Sequence, residues 1–282
     1  MADGIGLALG AMMFYGLADW VYKRAAVSGV QAHHFLALQA FFFAPCILLY
    51  GLATNTLALG APFAWGMTAG VLIFVAFYNF ARSLASGAVS IVAPVFRLSF
   101  AITAALAVWL LDERLTGWKV AGLAASLAAV WLLLAGSPAS APRISKSSLL
   151  HVLVATLAMG IVSFIYKLGA IAGGSPATVL TGQASVFLPL ATLFALARDR
   201  GFHPPPGAWR HGAAAAALLL FGLVMLLAGL AHGEASVLVP VAQMSFVVTA
   251  GLGFIFLREP LTLRKGFGLA FAIAALICLA RS

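Results

Sequence analysis

Apolar residues run through this chain in stretches of about 20, the length a helix needs to cross the hydrocarbon core of a bilayer. In such a core every backbone N–H and C=O must bond inside its own helix or close a barrel, and runs without polar alternation point to helices. Charges, prolines and glycines divide the chain into ten spans, approximately 4–22, 33–53, 63–83, 88–111, 118–136, 149–168, 176–197, 212–231, 235–257 and 264–280. The expected fold class is an all-α membrane protein. Composition agrees: 8% of the 282 residues are charged, whereas a water-exposed domain carries about 25%. The formal charge of +9 does not describe a nucleic-acid binder, because the basic residues sit singly or in pairs between apolar runs and form no stripe. Cys46 and Cys278 lie inside apolar runs without CxxC or His/Cys spacing, so they read as packing residues, and no disulfide or metal site follows. The first span lacks a basic leader and a small-residue cleavage site, and is expected to be a retained helix.

The chain also repeats itself. At an offset of 146, residues 84–124 align with 230–270 without a gap, with about 19 of 41 positions identical. The match pairs Gly87 with Gly233, Ser90 with Ser236, Pro94 with Pro240, Ser99 with Ser245, Thr103 with Thr249, and Glu113, Leu115, Thr116 and Lys119 with Glu259, Leu261, Thr262 and Lys265. At an offset of 144, Gly16 pairs with Gly160, Tyr22 and Lys23 with Tyr166 and Lys167, Gln39 with Gln183, and Pro45 with Pro189. The unit is five helices: residues 1–136, a polar Pro/Ser-rich linker over 137–148, and residues 149–282. Five is odd, so the second copy enters the bilayer from the opposite side. That makes ten transmembrane helices a five-plus-five inverted repeat, the architecture of many alternating-access carriers. A duplication without a mechanical role is the competing explanation.

The segments LLDERLTGWKVAG (110–122) and FLREPLTLRKGFG (256–268) place an acidic residue at a helix end, then Leu-Thr, a basic residue and Gly. With the five-plus-five arrangement they resemble the drug/metabolite transporter superfamily, in its ten-helix form with two EamA-type domains, and look closest to bacterial aromatic-amino-acid exporters. The resemblance implies efflux of amino acids and related small metabolites across the inner membrane.

Polar side chains inside lipid are costly and face the bundle interior, where they serve a substrate or lock helices together. Arg97 lies near the middle of the fourth span and its repeat partner, Gln243, in the ninth. A guanidinium suits a carboxylate and an amide offers a neutral donor and acceptor, so the asymmetry suits an oriented ligand; a lock to carbonyls or to Asp19 is the equal alternative. Asp19 can meet an ammonium, but Lys23, one turn on, is the favoured partner. Tyr78, Asn79, Gln39, Gln183, Ser99, Ser245 and Trp20 complete the candidate substrate contacts, and Tyr15, Phe42, Phe96, Phe100, Phe164 and Phe246 are candidate walls. Lys23 and Lys167 read as gate or anchor residues. Pro94 and Pro240, in the first turns of spans four and nine, read as hinges or as tolerated helix starts. Glycine pairs at four-residue spacing, Gly6/Gly10, Gly66/Gly70 and Gly229/Gly233, read as close helix packing.

No Asp or Glu stands at the centre of a span, which favours facilitated diffusion or exchange, with Asp19 the one protonation candidate. No P-loop, Gly-rich nucleotide fingerprint or metal cluster is present in the sequence, so no cofactor and no metal is expected, and no His/Asp/Ser constellation suggests an enzyme. The expected partners are a small-molecule substrate and the lipid bilayer; a monomer suffices, with a dimer left open. Lys23, Arg24, Arg82, Arg143, Lys146, Arg198, Arg200, Arg210, Arg258, Arg264 and Lys265 fall on one side of the membrane, against Arg114, Lys119, Lys167 and Arg281 on the other. Positive charge marks the cytoplasm, which puts both termini outside, whereas the resemblance implies cytoplasmic termini. Carriers of sugar phosphates, nucleotide sugars or organic cations on the same fold, and a non-transporting membrane subunit, are the other readings.

Overall fold

The computed structural model describes residues 2–86, 89–134, 145–199, 202–257 and 262–282. Gly87, Arg143, Arg200, Arg258, Glu259, Leu261 and most of the linker lie outside the described residues. The described residues form helices α1 (Ala2–Val27), α2 (Ala32–Ala53), α3 (Ala61–Ser86), α4 (Val89–Arg97), α5 (Ser99–Leu110), α6 (Gly117–Leu134), α7 (Lys146–Ile171), α8 (Pro176–Asp199), α9 (Ala208–His232), α10 (Ala235–Gln243), α11 (Ser245–Leu257) and α12 (Leu263–Ala280), and no strand. Among the described residues, nine stretches are long and apolar enough to cross a membrane; α4 with α5 supplies one (Val92–Leu110) and α10 with α11 another (Ala235–Leu252). The apolar part of α6, Gly117–Leu133, is shorter.

Two sequence boundaries change. The last residues of the 137–148 linker are already helical, because Ser145 caps α7: its side chain accepts from the Ser148 N–H at 3.0 Å. The stretches 88–111 and 235–257 are each interrupted once, at Leu98 and at Met244. Both breaks are single tight turns. Leu98 N–H donates to the Val95 carbonyl and Ala101 N–H to Leu98, three-residue spacings that recur in the second half, where Met244 N–H is shared between the Val241 and Pro240 carbonyls and Val247 N–H donates to Met244. Pro94 and Pro240 lie inside α4 and α10 and not at their starts. Neither can donate to the preceding turn, and each stands four residues ahead of a break.

The halves hold each other through equivalent helices. α1 packs on α9 and α11, and its repeat partner α7 packs on α3 and α5; α2 meets α8, and α6 meets α12. The matched contacts extend to single atoms. Thr103 Oγ1 donates to the Gly160 carbonyl at 2.9 Å, and Thr249 Oγ1 to the Gly16 carbonyl at 3.1 Å. A Cβ on Gly160 would stand 2.6 Å from Ile102 Cβ, and one on Gly16 would stand 2.4 Å from Val248 Cβ. At the α3–α8 crossing, Gly66 and Gly182 bring backbones together: a Cβ there would lie 2.0 Å from the Val179 oxygen and 2.3 Å from the Phe63 oxygen. Gly6 has open space around it, so not every glycine pair is a contact. Large apolar side chains cover the outside, Trp131 (65% exposed), Phe221 and Ile255 among them, a surface suited to lipid. Cys46 belongs to that surface and not to the interior packing: it is exposed, and a thiol is apolar enough to face acyl chains.

Candidate functional site

The two helix breaks place four side chains of unlike chemistry together. Arg97 ends α4 and Gln243 ends α10, while Ser245 opens α11 and Asp19 approaches from α1. Arg97 Nη2 donates to Asp19 Oδ2 at 2.7 Å, and its Nη1 donates to Ser245 Oγ at 3.2 Å and to Gln243 Oε1 at 3.4 Å. Ser245 Oγ in turn donates to Asp19 Oδ2 at 2.9 Å. Gln243 and Ser245 are buried, whereas the Arg97 and Asp19 side chains remain 23% and 28% exposed. A charge pair left partly open at this depth can exchange its partner for a ligand of matching charges. Arg97 thus reaches Asp19 across 78 residues of chain, the contact that the sequence leaves open as an alternative to substrate binding. At the equivalent place in the second half, Ser163 stands for Asp19 and donates to the Met159 carbonyl at 3.3 Å.

The other candidates separate into distinct places. Gln39 and Gln183 accept from Tyr22 and Tyr166, one matched tie in each half, and both amides are buried. Asn79 donates to the Val75 carbonyl at 2.9 Å and its Oδ1 meets His151 Nδ1 at 2.8 Å, so it links α3 to α7. Trp20 lies under the Arg24 guanidinium, 5.4 Å from its ring centre. Ser99 is buried, its carbonyl accepting from Thr103 Oγ1. Lys23 is exposed near the end of α1. Tyr78 alone among the candidates lines a cavity of about 260 Å³ between α2, α3 and α8. Its walls are Phe74, Phe77, Phe187 and Phe194, with Arg82 and Arg198 at its charged rim. These four phenylalanines were not among the candidate walls; Phe100, Phe164 and Phe246, which were, are buried in the packed interior. A signal was present: 74, 77, 78, 81 and 82 are one helical face, and so are 187, 191, 194 and 198.

At the corner between α9 and α10 a second charged group closes the structure. The Glu113 carboxylate, which the sequence placed in a loop, is buried and accepts from the N–H groups of Ala235 and Ser236 at 2.8 and 2.9 Å and from Ser236 Oγ, capping α10. Lys167 Nζ donates to the carbonyls of Leu230 and Gly233 at 2.8 and 2.7 Å. Fully buried Lys119 donates to the Arg114 carbonyl at 2.7 Å and pairs with Glu234. Lys167 thus ties α7 to the end of α9. Near the opposite end, His33, His34 and Asp199 bring three ligating atoms together, a grouping that residue spacing did not announce because α8 supplies the carboxylate.

An all-helical membrane protein with charged groups gathered at two broken helices has the general form of a carrier. The chain belongs to the EamA-like transporter family of the drug/metabolite transporter superfamily, whose model matches it twice, over residues 2–135 and 146–281. It is a multi-pass membrane transporter of small molecules. Comparison with curated proteins gives no match. Among solved structures, one crystal structure of a protein superposes with a TM-score of 0.81 at 16% identity, covering 98% of this chain and 98% of that one, so the two share a fold.

Proposed function

We propose that this transporter moves zwitterionic amino acids, aromatic and other apolar ones in particular, across the inner membrane by alternating access. The observation that carries the reading is the Asp19–Arg97 pair at the helix breaks, open to about a quarter of its surface and completed by Gln243 and Ser245. A zwitterion replaces both halves of such a pair: its carboxylate takes the Arg97 fork and its ammonium takes Asp19. The phenylalanine-lined cavity suits an apolar side chain approaching from the end of the molecule opposite the Glu113 corner. In this reading the ten spans form an inverted five-plus-five repeat, with residues 1–136 and 149–282 as the two units. The reciprocal contacts of α1 and α7 support it, since two copies touching through the same elements are what a pseudo-twofold axis produces. Exchange or facilitated diffusion suits a site whose carboxylate already has a permanent cation beside it. A phosphorylated or nucleotide substrate is less well served, because Arg97 is the single cation in the described network.

Counterflow in proteoliposomes tests this. Labelled phenylalanine or leucine should accumulate against unlabelled internal substrate, and Arg97→Gln should abolish the accumulation. Equal counterflow in the variant, or none with any amino acid in the wild type, would contradict the reading.

A further inference from the structure

His33 and His34 occupy the first turn of α2, and Asp199 is the last residue of α8. Both histidines are 5% exposed, and both Nε2 atoms stand against one carboxylate oxygen, Asp199 Oδ2, His33 at 2.9 Å. Their rings are 4.3 Å apart, and the edges of Phe194 and Phe202 wall them off. His33 makes a hydrogen bond to the carboxylate. His34 Nε2 meets the same oxygen as an ion-pair contact without hydrogen-bond geometry, and its buried Nδ1 has no hydrogen-bond partner. A buried imidazole carries at least one donor, and leaving a ring nitrogen unpaired in the interior is unfavourable. A cation held by both imidazoles and the carboxylate would give the histidine nitrogens a partner.

We propose that His33, His34 and Asp199 bind one divalent transition-metal cation of the zinc class, pinning the start of α2 to the end of α8. Two imidazoles and a carboxylate are the donor set that zinc, cobalt and nickel ions accept, with the fourth position left to water or to a ligand. The three ligating atoms already lie within 4.8 Å of one another. Tetrahedral ligands at metal distances of about 2.0–2.2 Å stand roughly 3.3 Å apart, so a small side-chain adjustment admits the ion. His33 also lines the phenylalanine-walled cavity, which gives the fourth position access to it. The α8 C-terminus adds its favourable dipole, while the α2 N-terminus and the nearby guanidinium groups of Arg198 and Arg82 oppose the cation and hold the affinity down.

Cobalt(II) chloride is the probe. Full-length protein in detergent, stripped with chelator, should develop the visible ligand-field absorption of tetrahedral cobalt with an end point near one equivalent per chain, and zinc should bleach it. His34→Gln and Asp199→Asn should weaken binding by roughly 100-fold or more, while His203→Ala should leave it unchanged. Zinc should raise the melting temperature of the wild type and not that of His34→Gln, a readout that requires only that the variant be folded before metal is added. The absence of the absorption band, or the same band and affinity in His34→Gln and Asp199→Asn, would overturn the assignment. Because no transport is measured, its failure leaves the amino-acid reading untouched.

Discussion

The two halves share a frame and differ at its centre. Thr103 on Gly160 and Thr249 on Gly16, or Tyr22 on Gln39 and Tyr166 on Gln183, are the same contact made twice. At the helix breaks the first half instead offers Asp19 and Arg97 where the second has Ser163 and Gln243. Matched positions build what both copies need, namely close helix crossings and satisfied hydrogen bonds inside lipid. Unmatched positions carry what only one orientation of a ligand can use. In the proposed carrier, the symmetric residues set the path of motion and the asymmetric ones set what is carried.

The largest effect should fall on the asymmetric pair. Removing one member of a buried, hydrogen-bonded charge pair costs on the order of 2–5 kcal/mol, less where water still reaches it. Arg97→Gln and Asp19→Asn should therefore each reduce initial uptake by roughly 30-fold or more, with much smaller changes in melting temperature. A loss of folding in place of a loss of uptake would make the pair a helix lock. Next comes the Glu113 cap: Glu113→Ala leaves two N–H groups and a hydroxyl unpaired in a buried corner, at about 2–3 kcal/mol by thermal or denaturant unfolding. Gly16→Ala and Gly160→Ala should each cost about 1–3 kcal/mol through overpacking, and by similar amounts because the contacts match. Smallest, Thr103→Val and Thr249→Val should each lose about 1 kcal/mol, again as equals. A severalfold inequality within either matched pair would show that the frame is not shared.

The sequence announces the membrane class and the repeat, since apolar length and self-similarity are properties of the chain itself. It also points to Arg97 and Gln243, because a charge inside a span is conspicuous. The sequence leaves Asp19 two candidate partners, Lys23 one helical turn away and Arg97 in the fourth span, and the packing of the bundle is what brings Arg97 to it. The helix breaks at Leu98 and Met244 are signalled by prolines four residues earlier, but a proline does not say where the following turn tightens. Glu113 follows a helix end and precedes a turn, so it reads as a loop charge until the α10 N-terminus arrives above it. The cavity walls do not stand out in a chain with 21 phenylalanines, and only their helical spacing toward Arg82 and Arg198 separates the lining from the lipid face.

The most direct measurement of the central claim is the ligand-dependent melting temperature of the purified protein with phenylalanine, its methyl ester and its N-acetyl derivative. A ligand that binds only the folded state raises that temperature. The account predicts stabilisation by phenylalanine, loss of the effect when either the carboxylate or the ammonium is blocked, and loss in Arg97→Gln and in Asp19→Asn. Equal stabilisation by all three compounds, or an undiminished shift in both variants, would place the substrate somewhere other than the Asp19–Arg97 pair.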